Sequence, residues 1–216
     1  MQDPEIVVVA AGEGPDVSAL LPTGATVIAA DGGVERAHAL GLDVALVVGD
    51  LDSASVDAVQ AAERLGAVVH RHPADKDATD LELALDEAVH RGGGRLTVIA
   101  SAGGRLDHLL SSLLLLGAER YAALEIDALV GPSRVHVIRG TRTIAGTPGE
   151  LVTLLALHGP AEGVTTEGLA YALHGERLEP GSSRGVSNVL TAASATIAVE
   201  RGVLLVVRPA TDGAPA

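Results

Sequence analysis

Val44-Ala45-Leu46-Val47-Val48-Gly49-Asp50-Leu51-Asp52-Ser53 joins a short apolar run to two carboxylates two residues apart. An uninterrupted apolar run of this length, bounded by turn residues, reads as a strand buried on both faces. In an extended chain residues i and i+2 point to the same side, so Asp50 and Asp52 can converge on one hard cation through oxygen, the donor that Mg2+ requires. Gly49 lets the backbone turn with no side chain in the way, and Ser53 or Ser55 can cap a following helix. Alone, an Asp-x-Asp is more often a solvated turn closing a strand; the surrounding chain reverses that reading.

Working outward, the same unit recurs. Ile6 to Ala10 and Thr26 to Ala30 are apolar runs, the first ending in Ala11-Gly12-Glu13-Gly14-Pro15 and the second in Asp31-Gly32-Gly33. Helices are expected over Val34 to Leu40 and Val56 to Leu65, stopped by Gly41 and Gly66, with a strand over Ala67 to His70. In Asp75-Lys76-Asp77-Ala78-Thr79-Asp80-Leu81-Glu82, Thr79 and Glu82 have capping-box spacing, and Leu81, Ala84, Leu85 and Ala88 repeat at helical spacing. Asp77 reads equally as a site residue and as one that only caps the helix or solvates the loop. Leu96 to Ala100 is a further strand. Gly103-Gly104-Arg105-Leu106-Asp107-His108 then opens a helix expected to bury Leu106, Leu109, Leu110, Leu113 and Leu114, and Leu124 to Val130 is a sixth strand.

Strand, loop and helix alternating in this way specify an α/β fold with a parallel sheet and right-handed crossovers. Asp31, Asp50, Asp52, Asp80 and Asp107 all fall just after a strand or at the start of the next helix. In such sheets those positions share the carboxyl edge, where ligands bind. Lys76 and Arg105 lie in the same loops and are suited to phosphate oxygens. From about Gly131 the texture changes to short β-rich pieces (Ser133 to Ile138, Leu151 to Leu157, Ala195 to Val199, Val203 to Arg208) punctuated by Gly and Pro. That pattern predicts a small antiparallel β-sandwich. The boundary is placed there, giving regions 1–130 and 131–216, with the end from Thr211 expected to fray.

Composition narrows the function. Of 216 residues 47% are hydrophobic, yet there is no Trp or Phe and only Tyr121 and Tyr171, so the core must be Leu, Val, Ile and Ala. A net charge of -13 argues against a nucleic-acid or anionic-membrane binder. With no cysteine there is no thiolate site, which fits the cytoplasm. Acids at Asp3 and Glu5 do not resemble a signal peptide, and no apolar run reaches spanning length. His70, His72, His136, His158 and His174 lack metal-site spacing and read as structural or surface residues. His108 reads equally as a packed helix residue.

Ala30-Asp31-Gly32-Gly33, Gly49-Asp50-Leu51-Asp52-Ser53, Lys76-Asp77-Ala78-Thr79-Asp80-Leu81-Glu82, Gly103-Gly104-Arg105-Leu106-Asp107-His108, Gly168-Leu169-Ala170-Tyr171 and Gly185-Val186-Ser187-Asn188 occur in the order found in thiamine pyrophosphokinases, which this chain resembles over nearly its whole length. The resemblance implies a Rossmann-like ATP-binding catalytic domain over 1–130, and a β-sandwich domain over 131–216 for thiamine binding and dimerisation. It also implies a homodimer whose active site is shared between subunits, and transfer of pyrophosphate from ATP to thiamine with Mg2+. On it, Asp50, Asp52 and Asp80 are the metal ligands, with Asp31 a further candidate, and Lys76 and Arg105 neutralise phosphate oxygens. Asp107 binds the cationic substrate or helps take its proton. Asp31, Gly32, Gly33, Ser53, Thr79 and Gly104 line the nucleotide, and Tyr171, Ser187 and Asn188 line thiamine. The chain departs from the family at Glu35, where Asn is frequent, and at Val189, where a polar residue is common.

The chemistry fits these residues. Attack of an alcohol at the β-phosphorus, with AMP leaving, demands charge neutralisation and alignment. A pyrophosphokinase acting on a pterin alcohol would share the acidic edge, without needing Tyr171 or Ser187-Asn188. A metal-dependent phosphohydrolase could use the same acids with water as acceptor. A non-catalytic nucleotide sensor would more readily have lost one of them.

Overall fold

The protein, seen in a computed structural model that describes residues 4–210, folds as two compact units. One comprises the chain through Ser112 together with Ala123–Pro132; the other takes Leu113–Ala122 and the chain from Ser133 on. The expected fraying from Thr211 lies outside the described residues.

β1 (Glu5–Val9), β2 (Thr26–Ala30), α1 (Gly33–Ala39), β3 (Val44–Gly49), α2 (Val56–Arg64), β4 (Val68–Arg71), α3 (Asp80–His90), β5 (Arg95–Ala100), α4 (Leu106–Leu116) and β6 (Glu125–Val130) follow one another, all in the first unit except the end of α4 from Leu113. The strands pair in parallel, in the order β4-β3-β2-β1-β5-β6. That order reverses between β1 and β5, and at such a switch point the loops beyond the carboxyl ends splay apart to leave a crevice. Val7, Val9, Val27, Ala29, Val34, Ala37, Val47, Val59 and Ala62 form a continuous apolar cluster beneath those loops. With Ala at the helix positions the helices seat close to the sheet. Gly33 is the extreme case, since a Cβ there would stand 2.0 Å from the Val9 carbonyl oxygen. The capping expected of Thr79 is present, its Oγ1 accepting from Glu82 N at 3.2 Å, and Ser55 caps α2 by accepting from Ala58 N at 3.3 Å.

The leucines of α4 are a correction. Leu106, Leu110 and Leu114, expected inside, are 68%, 52% and 49% exposed. The half-buried and buried stripe is Leu109, Leu113 and Leu116. The helix carries Leu on two neighbouring stripes, so periodicity alone could not say which one meets the sheet.

The second unit is antiparallel. It contains β7 (Ser133–Ile138), β8 (Thr141–Ala145), β9 (Leu151–Glu167), β10 (His174–Leu178), β11 (Asn188–Val189), β12 (Ser194–Ala198) and β13 (Arg201–Arg208). The path runs β7-β13-β9-β12-β8, with β10 and β11 also on β9. Alternate residues, among them Val152, Leu154, Val164, Ile197, Leu204 and Val206, fill its core. Within it an ion pair joins Arg208, with 9% of its side chain exposed, to Glu150, at 31%. Arg208 also donates to the Ala145 carbonyl at 2.8 Å. Burial alone would push the Glu150 carboxyl up, but Arg208 outweighs it and the pKa is lowered. A depressed carboxylate adds stability above its unfolded pKa, near 4.3 for Glu, and loses it as pH falls through the folded value. Glu150→Gln should therefore cost about 1–2 kcal/mol at pH 7, a fall of several degrees in Tm. The gap should close as the melts are repeated below about pH 4. A constant gap from pH 7 to pH 3 would show that the charge is not the stabilising feature.

Candidate functional site

The acidic loops meet at the carboxyl edge of the parallel sheet. Asp31 directly follows β2, is 6% exposed, and has φ 47. Leu51, between the two acids after β3, has φ 62. Two non-glycine residues in the left-handed region within one loop cluster are a strain that functional sites characteristically hold. Gly49 (φ 147) is required by space as well: a Cβ there would stand 2.8 Å from Asp80 Oδ1 and 3.1 Å from Asp31 Cβ. The missing side chain thus lets Asp31 and Asp80 close around the end of β3.

Carboxylate oxygens of Asp31, Asp50 and Asp52 come within 4.8 Å of one another. Asp80 joins them through Lys76, whose Nζ lies 2.6 Å from Asp50 Oδ2 and 3.0 Å from Asp80 Oδ1. The hydrogen bond goes to Asp50, while the contact with Asp80 is one of charge without hydrogen-bond alignment. Asp52 N donates to Asp50 Oδ1 at 3.3 Å, and Ser53 Oγ donates to Asp31 Oδ2. Asp31 Oδ1 is buried without a hydrogen bond. The bonded Lys76 holds the Asp50 carboxyl below its ordinary pKa. Asp52, facing Asp50 and then Asp31 without a cation of its own, is pushed up. Burial pulls the Lys76 ammonium down, but the hydrogen bond to Asp50 and the nearby charge of Asp80 outweigh it and raise its pKa. Hard oxygens, mutual repulsion and buried unpaired lone pairs are what a small divalent cation would relieve.

Arg105 and Asp107, expected at the same edge, pair with each other: Nε to Oδ1 at 3.2 Å and Nη2 to Oδ2 at 2.6 Å. The pair brings the Asp107 carboxyl down to about 2. Both side chains are exposed, so the pair contributes little to stability and its partners can be exchanged for a ligand. His108 is exposed rather than packed. Thr79 serves α3 as its cap. Asp77 is exposed and does not cap the helix.

Sequence reasoning passed over the loop after β1 and the function of Glu35. Ala11, Gly12, Glu13, Gly14, Glu35 and Ser53 are among the residues lining an open cleft of ≈ 690 Å³ beside the acidic cluster. Glu35 Oε1 accepts from Ser55 N at 2.5 Å, tying α1 to the far end of the Asp50–Ser53 loop. The Gly-x-Gly after the first strand was the available signal.

In the second unit Tyr171 is 63% exposed, whereas Tyr121 is 1% exposed. Tyr121 is thus a core aromatic, and Tyr171 is not. Tyr171, Leu173, Ser183, Arg184, Val186 and Asn188 line a cavity of ≈ 360 Å³. Asn188 is buried and committed: its Oδ1 accepts from Tyr171 N at 2.9 Å and its Nδ2 donates to the Tyr171 carbonyl at 2.8 Å. It fixes the backbone that presents the ring. Ser187 has φ 57 and its N donates to Thr153 Oγ1 at 3.1 Å.

Comparison with known proteins bears on both units. Residues 17–126 match the catalytic domain of thiamin pyrophosphokinase and residues 135–204 its vitamin B1 binding domain. Thiamine pyrophosphokinase of Bacillus subtilis (strain 168) is 24% identical over 190 residues, 82% of this chain and 85% of that protein. The crystal structure of thiamine pyrophosphokinase from Bacillus subtilis superposes with a TM-score of 0.84 at 23% identity, covering 96% of this chain and 99% of that one. Thiamin pyrophosphokinase from Geobacillus thermodenitrificans gives 0.80 at 27%, covering 97% and 99%.

Proposed function

The chain belongs to the thiamin pyrophosphokinase family and transfers pyrophosphate from ATP to the hydroxyl of thiamine, giving thiamine diphosphate and AMP, and we propose that the carboxylates gathered after β2 and β3 carry that reaction. The observation that supports this most directly is the approach of Asp31, Asp50 and Asp52 to within 4.8 Å at the ligand edge of the sheet. The two domain matches favour thiamine over a pterin alcohol or water as acceptor. No helix among the described residues is long and apolar enough to cross a membrane.

We assign Mg2+ to Asp50, Asp52 and Asp80, with Asp31 close enough to share it. Bound there, the cation would supply positive charge to the phosphate oxygens. The remaining work belongs to the chain. Asp31, Gly32, Gly33, Ser53, Thr79 and Gly104 shape the nucleotide's place, and Lys76 and Arg105 neutralise phosphate oxygens. Asp107, kept ionised, is suited to the cationic substrate. The hydroxyl oxygen of thiamine bonds to the β-phosphorus, its proton passes to water, and the bond from that phosphorus to the oxygen bridging to the α-phosphate breaks, so that AMP leaves with that oxygen. In-line alignment is therefore what the loops must hold. The finer fold reading, a Rossmann-like domain over 1–130 and a thiamine-binding, dimerising β-sandwich over 131–216, is supported by the parallel order with its reversal at β1 and β5 and by the antiparallel pairing around β9. A homodimer is supported by the exposed Leu106, Leu110 and Leu114 stripe, an apolar face of the kind that a partner covers, and sharing of the sites between its subunits is part of the same proposal. Incubation with ATP, Mg2+ and thiamine should give AMP and thiamine diphosphate in equal amounts; AMP without thiamine diphosphate would overturn the assignment of the acceptor.

Tyr171 is proposed to hold the thiazolium by charge and ring contact. Tyr171→Ala should raise the KM for thiamine roughly tenfold, a cation–π contact being worth about 1–2 kcal/mol when desolvated. The KM for ATP should stay within about twofold. Equal rises in both constants would remove Tyr171 from the acceptor site.

A further inference from the structure

Lys76 reaches back from the loop before α3 to Asp50, 26 residues away, and contacts Asp80 one helical turn on. Its side chain is 13% exposed, those of Asp50 and Asp80 14% and 25%. The lysine is thus held between two of the three carboxylates assigned to the metal, on the very oxygens a cation would use. A cation at about 2.0–2.1 Å from either oxygen would stand within about 5 Å of the ammonium, where like charges in a poorly exposed site repel strongly. One of the two must move, and the lysine stem has the freedom to do so.

We propose that Lys76 and the divalent cation compete for Asp50 and Asp80, so that the metal enters with the nucleotide rather than ahead of it. The proposal rests on the metal assignment made above. A nucleotide phosphate offers the ammonium another partner and draws it off the carboxylates, freeing Asp50 Oδ2 and Asp80 Oδ1. Free cation then binds weakly, and cation and nucleotide each strengthen the other's binding by the same factor.

The test is titration of the full-length protein with Mn2+ alone, without nucleotide, following free Mn2+ by electron paramagnetic resonance. Lys76→Met and Lys76→Gln should bind Mn2+ about tenfold or more tightly than the wild type, their folding checked by circular dichroism. Lys76→Arg, which keeps the charge, should bind no more tightly than wild type. Arg105→Met, which removes an exposed cation paired elsewhere, should stay within about twofold. If Lys76→Met and Lys76→Gln bind no better than wild type while Asp52→Asn binds worse, the competition is refuted and the metal assignment stands. If adding Asp52→Asn to Lys76→Met leaves Mn2+ binding as tight as in Lys76→Met alone, the metal assignment falls and the proposal with it.

Discussion

Asp52→Asn should lower kcat by at least about 100-fold, since outer-shell partners of metals alone are worth roughly 10–100-fold in affinity and Asp52 is assigned as a direct ligand. Its effect on stability should have the opposite sign. Asp52 is exposed, and its carboxyl is pushed up first by Asp50 and then by Asp31. A group whose acid form is favoured in the folded state repels its surroundings when ionised, so a neutral amide of the same shape relieves the fold. The melting temperature of Asp52→Asn should equal or exceed that of the wild type at pH 7. Functional residues held against their electrostatic preference show this trade of stability for activity. Chelation by EDTA should abolish wild-type turnover and added Mg2+ should restore it. A variant that keeps full activity, or one that loses activity only because it melts early, would remove Asp52 from the metal site.

The parallel unit was legible because each signal was local and agreed with its neighbours. Val44 to Val48 is the greater part of β3, Thr79 caps where its spacing placed it, and each strand end lies within a residue or two of the apolar run that specified it. The second unit was harder. The strand expected to end at Leu157 continues to Glu167, through Gly159-Pro160, which reads locally as a break. It continues because Leu157 pairs with Val203 and Glu162 with Arg201, leaving Pro160 inside a bulge where its missing N–H is not needed. β8 and β10 are short and polar on one face; β8 exists through pairing with β12, far along the chain, and β10 through bulged pairing with the preceding β9. In the site, the residue types and loops could be read from the chain. The grouping of Asp31 with Asp50 and Asp52, the Lys76 bridge to Asp50 and the bond from Ser55 to Glu35 depend on how separate crossovers stack beside one another. No spacing within a single loop encodes that. Asn188 shows the limit most clearly: its residue type suited a ligand contact, but its amide is spent on the backbone of Tyr171.

Mixing two impaired chains should give more activity than either has alone. The first chain carries Asp52→Asn in the acidic edge. The second carries Tyr171→Ala, preferred over Asn188→Ala because Tyr171 is 63% exposed and can be trimmed safely. Loss of the Asn188 amide would strand buried backbone groups at a cost of about 1–3 kcal/mol each. Under the proposed two-fold assembly one subunit's acids face the other subunit's Tyr171 across the axis. A mixed dimer then has one site with both lesions and one with neither. Random pairing makes about half the dimers mixed, so roughly a quarter of wild-type sites should return. Assayed at thiamine far below either KM, Tyr171→Ala keeps about a tenth of the wild-type rate and Asp52→Asn about a hundredth or less, so that quarter stands clear. The stripe of Leu106, Leu110 and Leu114 supplies an internal control, since Leu110→Glu should split the dimer and erase the rescue. Verified mixed dimers that stay as inactive as their parents would show that each subunit carries a complete site of its own.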